Sequence, residues 1–420
     1  MPNEKLTRNI ISSIALVSLA GNIAWAVENQ YFNVFLFNFL SPNPIYISIM
    51  VAVSTIVGTI TTIIIGSFSD VKAKRRPFIL YGLILWAITT AMFPLSAFFL
   101  PFGVQFAVFM AILFDCIMTF FGATSLNAGL NAYITDITTL ENRGKAMGIS
   151  QMMNLVALIT VYGGAGVIIS VFGYYGFFYL IGGLVAVIGI SGGIIVRDSN
   201  LLEPLEVGTF QNIINTFKGT HLHTHKNFFI VLLVITTWSS GFYVFFPYIL
   251  IYLQHYLNYT IFVASILVLI PFLISIMLAY PLGMITDKLG RKKTTLISTI
   301  TFFIFAFLFG LFKDVILISI MGTLWLLSYT AISVATFSWA KDLYPEEGRG
   351  QFSGYWNLFS GTIPMIIGPF IGGWLATQFG QEQDIGGQLG YVPTPIVFFV
   401  GAILILVTLI PLYFAKEKKK

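Results

Sequence analysis

Charged residues are scarce in this chain. They make up 9% of its 420 positions, whereas hydrophobic residues make up 57%. A soluble globular domain carries about 25% charged residues, so a water-soluble fold is excluded for most of the chain. Cysteine is also nearly absent, because Cys116 is the single one. An internal disulfide is therefore excluded, and Cys116, which lies within an apolar run, is interpreted as a small core residue.

Long polar stretches are also few, and the apolar runs between them are long. A helix needs about 20 apolar residues to cross the bilayer, because the hydrocarbon core is about 30 Å thick. The runs that meet this requirement are 11–38, 45–68, 77–99, 103–134, 147–172, 174–196, 227–256, 262–285, 294–312, 315–340, 351–377 and 393–414. Barrel strands need only about 10 alternating residues, so the sequence predicts twelve transmembrane helices.

The basic residues lie in alternate loops of this topology. All of the 22 Lys and Arg residues except Lys313 fall on one face. Cytoplasmic loops are rich in Lys and Arg, so we predict a multi-pass protein of the cell (plasma) membrane with both termini in the cytoplasm. The formal net charge of +5 is explained in this way. The lipid bilayer is thus the expected partner, and binding to nucleic acid is not expected.

The longest polar segment divides the chain into two groups of six helices. The predicted divisions are an N-terminal half at 1–197, a cytoplasmic central loop at 198–226 and a C-terminal half at 227–420. The loop carries His221, His223 and His225 at alternate positions. Such a run binds a transition metal when it is extended and finds further ligands, or it is simply a solvated loop. We predict no metal site and no cofactor.

Two short motifs occur once in each half, at equivalent helix boundaries. After the second helix, Gly66 is followed four residues later by Asp70 and then by a basic triplet, and Gly283 and Asp287 repeat this pattern after the eighth helix. After the fourth and tenth helices an Asp precedes an Arg by seven residues. These pairs are Asp136 with Arg143 and Asp342 with Arg349.

The first of these motifs resembles the G-x-x-x-D-[RK]-x-G-R-[RK] signature of the major facilitator superfamily. The copy at 283–293 matches throughout, whereas the copy at 66–76 departs from it at Val71 and Ala73. The resemblance implies an all-α integral membrane fold of twelve helices. Such proteins have two pseudo-symmetric six-helix halves, related by an axis along the membrane normal, that rock around a midplane site.

Within that family, clusters of this kind latch the cytoplasmic side in the outward-facing state. The small residues allow close helix approach, and the acids are expected to pair with basic groups, Asp136 with Arg143 and Asp342 with Arg349. The alternative is plain positive-inside anchoring, which explains the Lys and Arg residues but not the repeated Asp and Gly. The predicted cytoplasmic gate consists of Gly66, Asp70, Arg75, Asp136, Arg143, Gly283, Asp287, Arg291, Asp342 and Arg349.

Two acids lie well inside predicted helices, namely Glu28 in the first and Asp115 in the fourth. A carboxylate at the centre of a membrane helix costs roughly 2.5–3.5 kcal/mol on insertion scales, so its presence requires a reason. We predict a cation-coupling site for H⁺ or Na⁺. The alternative is that each acid is a buried hydrogen-bond partner for another helix.

Polar and aromatic residues accumulate on the first, fourth, seventh and tenth helices, which line the central cavity in the superfamily. Rings, amides and hydroxyl groups suit a neutral polyhydroxylated ligand, whereas a divalent anion would require Arg or Lys inside the membrane. The predicted substrate-binding residues are Asn22, Trp25, Asn29, Thr119, Trp238, Tyr243, Tyr329, Ser333 and Asn357.

A narrower resemblance suggests the substrate. The segment from Gly21 to Gln30 is similar to the start of sucrose and other glycoside symporters, and Asn131 to Asp136 resembles a later segment with Asn131 in place of Arg. The leading interpretation is a proton- or sodium-coupled sugar or glycoside symporter that acts by alternating access as a monomer. One alternative is a proton-driven exporter of lipophilic compounds. The other is a non-transporting membrane receptor or scaffold. An enzyme is not expected, because no nucleophile–base arrangement is visible.

Overall fold

The computed structural model describes residues 6–138, 142–198, 225–343 and 354–417. This part of the chain is nearly all helical. Its membrane-length helices are α1 (Arg8–Leu40), α2 (Pro44–Lys72), α3 (Arg76–Phe102), α4 (Val104–Ile137), one helix spanning Arg143–Ile195, α7 (Lys226–Tyr256), α8 (Ile261–Leu289), α9 (Arg291–Leu311), α10 (Val315–Asp342), α11 (Gly354–Phe379) and α12 (Ile396–Phe414).

The helix Arg143–Ile195 accounts for two of the predicted membrane crossings. It contains 53 residues, so it is about 80 Å long and exceeds twice the hydrocarbon thickness. Gly173 interrupts it with a φ of 67° and a ψ of 179°, a conformation that glycine adopts readily because it has no Cβ. We therefore divide it into α5 (143–172) and α6 (174–195). Within the residues that the structure describes, this division gives twelve membrane-length helices, as predicted.

The chain forms two compact units. The first contains Met1–Leu40 and Val53–Asn215, and the second contains Ser41–Ala52 and Thr216–Lys420. In the first unit α1 packs along the Arg143–Ile195 helix, which also packs against α3. In the second, α10 packs on α8 and α9, and α7 on α11 and α12. The central part of the predicted loop 198–226, with His221 and His223, lies outside the described residues, as does Arg349.

Aromatic side chains fill the core of each unit. In the first, the rings of Phe32 and Phe93 stack with centroids 3.6 Å apart. In the second, the rings of Phe302 and Trp325 stack with centroids 6.0 Å apart. Aromatic contacts of this kind add to the packing energy that holds helices together where no hydrophobic effect drives their association.

The beginning of α2 groups with the second unit, although it lies in the first half of the sequence. Ser48 explains this grouping, because it is completely buried and its Oγ donates to the carbonyl oxygen of Pro369 over 2.7 Å. The Tyr248 hydroxyl lies 2.8 Å from the Ser48 hydroxyl and donates to the same carbonyl over 2.8 Å. A Cβ on Gly373 would lie 2.0 Å from the Ser48 Oγ. Glycine therefore permits this close contact.

We expect Gly373→Ala to destabilise the protein by about 1–3 kcal/mol, because the added methyl group must displace Ser48 or its neighbours. Thermal unfolding of the purified protein in detergent measures this effect. Gly183→Ala is the matched control, since Gly183 is an exposed helical glycine with open space around its Cβ position. An equal effect of the two substitutions would contradict the close packing at Gly373.

A small β-hairpin lies between α11 and α12, in a stretch for which no secondary structure was predicted. Its strands β1 (Gln381–Ile385) and β2 (Gln388–Val392) pair in antiparallel register. Gly386 and Gly387 join them with φ values of 62° and 82°, which a type I′ turn requires at both central positions. The Tyr391 N–H donates to the Pro42 carbonyl over 2.9 Å. The hairpin therefore helps to hold the residues before α2.

Candidate functional site

The two membrane acids, which lie on different helices, meet inside the first unit. The carboxyl groups of Glu28 on α1 and Asp115 on α4 are hydrogen-bonded neighbours. Thr119, one turn after Asp115, donates its hydroxyl to Glu28 Oε1 over 2.9 Å. Asp115 is 1% exposed, and Glu28 is partly buried with its Oε2 covered. The structure thus brings three residues from the predicted coupling and substrate sets into one cluster.

Two tryptophans and a glycine form the apolar wall near these acids. Trp25 and Trp86 meet edge to face with centroids 5.0 Å apart. A Cβ on Gly122 would lie 2.8 Å from the Trp86 ring and 3.2 Å from the Trp25 ring. Glycine at this position therefore lets both rings approach α4. Trp25 remains partly exposed.

The helix carrying Glu28 changes its winding at this residue. Glu28–Phe32 forms a π-helical turn, and a second π-helical segment, Ala123–Leu130, follows the Asp115 region of α4. Single π-helical turns inside α-helices often occur at functional sites, because the extra residue per turn re-aims the side chains. Both helices of the acid pair have this feature.

The predicted amides of α1 are both partly buried and both bound to their own helix. Asn22 Nδ2 donates to the Ser18 carbonyl over 2.7 Å, and Asn29 Nδ2 donates to the Trp25 carbonyl over 2.7 Å. These bonds fix the amide orientation. Because the nitrogen is turned to the helix, the amide oxygen is the group that each side chain presents to its surroundings.

The remaining predicted substrate residues lie in the second unit. Trp238 is 1% exposed and contacts the Tyr329 ring at a centroid distance of 5.5 Å. Phe242 lies between Tyr329 and Tyr243, with centroid distances of 4.6 Å and 5.1 Å. The Ser333 hydroxyl donates to the Tyr329 carbonyl over 2.6 Å. Asn357 lies on α11 and is exposed.

Arg75 organises the first copy of the repeated motif. Its Nη2 lies 2.5 Å from Asp70 Oδ1, and its Nε lies 2.8 Å from Asp136 Oδ2. Its Nη1 donates to the Ser69 hydroxyl. The Arg75 side chain is only 5% exposed. Burial alone would lower the pKa of the guanidinium, but its hydrogen bonds to Asp136 and Asp70 outweigh burial and raise the pKa.

The expected pair of Asp136 with Arg143 is wrong. Asp136 pairs with Arg75 instead. The Arg143 guanidinium donates to the Thr138 hydroxyl over 3.2 Å and to the Thr135 carbonyl over 3.2 Å. The physical reason is that the buried Arg75 can bind two carboxylates in fixed geometry, whereas Arg143 caps the carbonyl groups at the end of α4.

The second copy has the same arrangement but is more exposed. Arg291 Nη1 lies 2.6 Å from Asp287 Oδ1, and its Nε lies 3.4 Å from Asp342 Oδ2. The two Asp side chains are 58% and 60% exposed. Gly290 adopts a φ of 90° before Arg291, whereas Ala73, at the corresponding place in the first copy, adopts a φ of 50°. Gly66 has nothing within 4 Å of its Cβ position, and a Cβ on Gly283 would make only an ordinary contact of 3.9 Å with Val334. The close helix approach that was expected at these two glycines is therefore wrong.

Two functional-site acids were missed by the sequence analysis. Asp198 Oδ1 accepts from the backbone N–H groups of Arg75 and Arg76 over 2.6 and 2.8 Å. Glu417 accepts from those of Arg291 and Lys292 over 2.6 and 3.1 Å. Carboxylates stabilise helix N-termini in this way. The sequence does contain a signal for these two acids, because each follows a basic residue and lies three residues after the last helix of its half.

Comparisons with known proteins agree with this architecture. The family model described as Major Facilitator Superfamily matches residues 9–277 and 228–420. The chain is 22% identical over 326 residues to Multidrug resistance protein 2 of Bacillus subtilis, covering 77% of this chain and 78% of that protein. It is 31% identical over 93 residues to an uncharacterized MFS-type transporter of Mycobacterium tuberculosis, covering 22% of this chain and 13% of that protein.

Solved structures share the fold at low sequence identity. A mutant of the nucleoside transporter NupG superposes with a TM-score of 0.76 at 12% identity, covering 97% of this chain and 100% of that one. A D-xylose-proton symporter superposes with a TM-score of 0.69 at 17% identity, covering 96% of this chain and 98% of that one. From the family match over most of its length and these shared folds, we conclude that the chain belongs to the major facilitator superfamily and is a multi-pass membrane transporter.

Proposed function

We propose that the chain is a cation-coupled symporter of a sugar or glycoside, and that Glu28 and Asp115 form its coupling site. The observation that carries this proposal is the buried contact between the two carboxyl groups. Two carboxylates that share one buried site repel each other strongly unless a cation neutralises one of the charges. Binding of a proton or Na⁺ at this pair therefore changes the net charge that α1 and α4 carry inside the membrane.

The surroundings of the pair favour a small neutral substrate. Asn29, the next residue after Glu28, presents an amide oxygen that can accept from a hydroxyl group. Trp25 lies one turn before Asn29 and is partly exposed. An aromatic face and an amide together suit a polyhydroxylated ring, since the ring's apolar face stacks and its hydroxyl groups donate. The resemblance to sucrose and glycoside symporters supports the same substrate class.

The motif clusters are proposed as the cytoplasmic gate. Arg75 joins acids on α2 and α4, and Arg291 joins acids on α8 and α10. Each cluster therefore holds together the helix ends on one side of its own unit, which is the side proposed to form the gate. This function requires both termini to lie in the cytoplasm. The one-sided distribution of Lys and Arg supports that orientation in the cell membrane.

A second candidate is proton-driven export of lipophilic compounds. The similarity to Multidrug resistance protein 2 over 77% of the chain favours it. A buried acid pair serves an exporter equally well, because an inward proton gradient can drive either direction of substrate movement. The aromatic group around Trp238 and Tyr329 would then contact an apolar ligand.

Transport by purified protein in liposomes distinguishes the two candidates. Labelled monosaccharides, disaccharides and aryl glycosides are offered under an imposed proton or sodium gradient, and efflux of a lipophilic cationic dye is followed in parallel. We expect at least one sugar or glycoside to accumulate only when a gradient is present. Gradient-driven dye efflux with no accumulation of any sugar would overturn the symporter proposal and support the exporter.

A further inference from the structure

A third helix, α2, contacts the acid pair through two residues one turn apart. Ser54 is 4% exposed, and its hydroxyl is hydrogen-bonded to the Asp115 carboxyl group. Gly58 lies against Thr119, so that a Cβ on Gly58 would lie 3.0 Å from Thr119 Cγ2. Residues at i and i+4 share one face of a helix. The same face of α2 therefore touches both α4 residues of the cluster.

We infer that Ser54 and Gly58 are positioning residues of the coupling pair: Ser54 holds the Asp115 carboxylate, and Gly58 lets Thr119 reach Glu28. This inference rests on the proposed coupling function of Glu28 and Asp115. Neither α2 residue binds the cation in this scheme. They act through the hydrogen bonds that Asp115 and Glu28 accept, and they bias which carboxyl group carries the exchangeable proton.

The hydroxyl groups of Ser54 and Thr119 each donate to a different acid of the pair. Asp115 is almost completely buried, which disfavours its charged form, but the hydrogen bonds that it accepts from Ser54 and from Glu28 offset this cost. Glu28 is less buried and accepts from Thr119 at one oxygen, while its other oxygen, Oε2, is covered. A hydrogen bond to a carboxylate favours the ionised form. Glu28 is thus the group that exchanges a proton with its surroundings, and Asp115 is the fixed neighbouring charge.

Gly58 has a specific role because the contact is with one atom. A methyl group at position 58 would meet Thr119 Cγ2 at 3.0 Å, a separation that forces Thr119 to move by a few tenths of an ångström. That movement lengthens the 2.9 Å hydrogen bond from Thr119 to Glu28. Serine at position 119 keeps the hydroxyl but lacks Cγ2. Thr119→Ser should therefore remove the steric conflict that Gly58→Ala creates.

The titratable groups around the pair are few. On α4 the thiol of Cys116 interacts with both acids, but a thiol has no carbonyl group and does not contribute to an infrared carboxyl band. From α2, Ser54 contacts Asp115 and Gly58 lies against Thr119, and from α3 Trp86 lies against Gly122 and Trp25. None of Ser54, Gly58 and Trp86 titrates, so a pH-dependent carboxyl band from the cluster reports the two carboxyl groups.

Infrared titration of the protein in liposomes tests the inference without a known substrate. The protonated carboxyl band is followed with pH, and Glu28→Gln identifies the part of the band that comes from the pair. We expect Ser54→Ala to move the midpoint of that part to higher pH by about one unit, because the Asp115 carboxylate loses a hydrogen bond that favours its ionised form. Ser54→Thr, which retains the donor, is expected to restore the parental midpoint.

Substitutions at Gly58 and Thr119 give a more specific test of the positioning role. We expect Gly58→Ala to move the midpoint to higher pH, Thr119→Ser to leave it near the parental value, and the double substitution to return it to that value. An unchanged midpoint in both Gly58→Ala and Ser54→Ala would overturn the inference. So would a double variant that stays shifted.

The coupling assignment and the positioning role can be rejected separately. If Glu28→Gln removes no titrating band, the coupling assignment itself is wrong. If Glu28→Gln removes the band but the α2 variants leave its midpoint unchanged, coupling stands and only the positioning role is rejected. Monodisperse elution of every variant on size exclusion shows that the comparison is between folded proteins.

Discussion

Glu28→Gln and Asp115→Asn are each expected to abolish accumulation of substrate against its gradient. Each variant removes one member of the carboxyl pair and replaces it by an amide of nearly the same shape. The pair then has one charge at most and does not need a cation to relieve repulsion. The internal concentration of substrate should stop at the external concentration, while exchange of labelled for unlabelled substrate continues.

Two measurements separate this result from misfolding. Exchange between equal concentrations reports substrate binding and alternating access, and it should be retained. Glu382→Gln is the matched control, because Glu382 is an exposed acid on the β-hairpin and the same substitution there should leave accumulation unchanged. Full accumulation by both pair variants would reject the coupling assignment.

Arg75→Gln is expected to destabilise the protein by about 3–5 kcal/mol, because it leaves partners of a buried ion pair without their counter-charge. Arg291→Gln, which removes the arginine that joins the two acids of the second copy, is expected to cost at most about 1 kcal/mol, since both of its acid partners are mostly exposed and screened by water. The same substitution in the same motif should therefore produce clearly different losses. Thermal unfolding in detergent at fixed pH and salt measures both.

Salt and a charge-retaining variant test the physical reason. Exposed ion pairs weaken as the ionic strength rises, whereas buried pairs are screened much less. Added salt should thus reduce the difference between the parent and Arg291→Gln and leave that between the parent and Arg75→Gln largely intact. Arg75→Lys keeps the charge but cannot bridge two acids with a planar fork, so an intermediate loss is expected. Equal losses at Arg75 and Arg291 would contradict the difference in burial.

The helices were predictable from the sequence because a membrane span depends on length and hydrophobicity alone. The helix Arg143–Ile195 counts as two transmembrane helices only because Gly173 interrupts it. The predicted spans 147–172 and 174–196 are separated at the same position. The hairpin was not predictable in the same way. Its strands are five residues each, which is too short to show a clear periodicity, and the first of them is mostly polar.

The site was predictable in its residues but not in its contacts. The insertion cost singled out Glu28 and Asp115 separately, yet their meeting depends on how α1 and α4 are rotated about their axes. That rotation is set by the packing of Trp25 and Trp86 against Gly122, which a single sequence does not reveal. The pairing of Asp136 was assigned wrongly for a related reason, since spacing along the chain favoured Arg143 over the spatially closer Arg75.

The hairpin between α11 and α12 has a practical consequence for imaging this protein. A nearly all-helical bundle embedded in a detergent belt offers little that breaks its pseudo-symmetry in projection. The two-residue turn at Gly386 and Gly387 joins two paired strands, so it presents a rigid peptide loop on one half of the molecule. A binding protein raised against this turn, or a small rigid domain inserted there, would supply the asymmetric marker needed to align single particles.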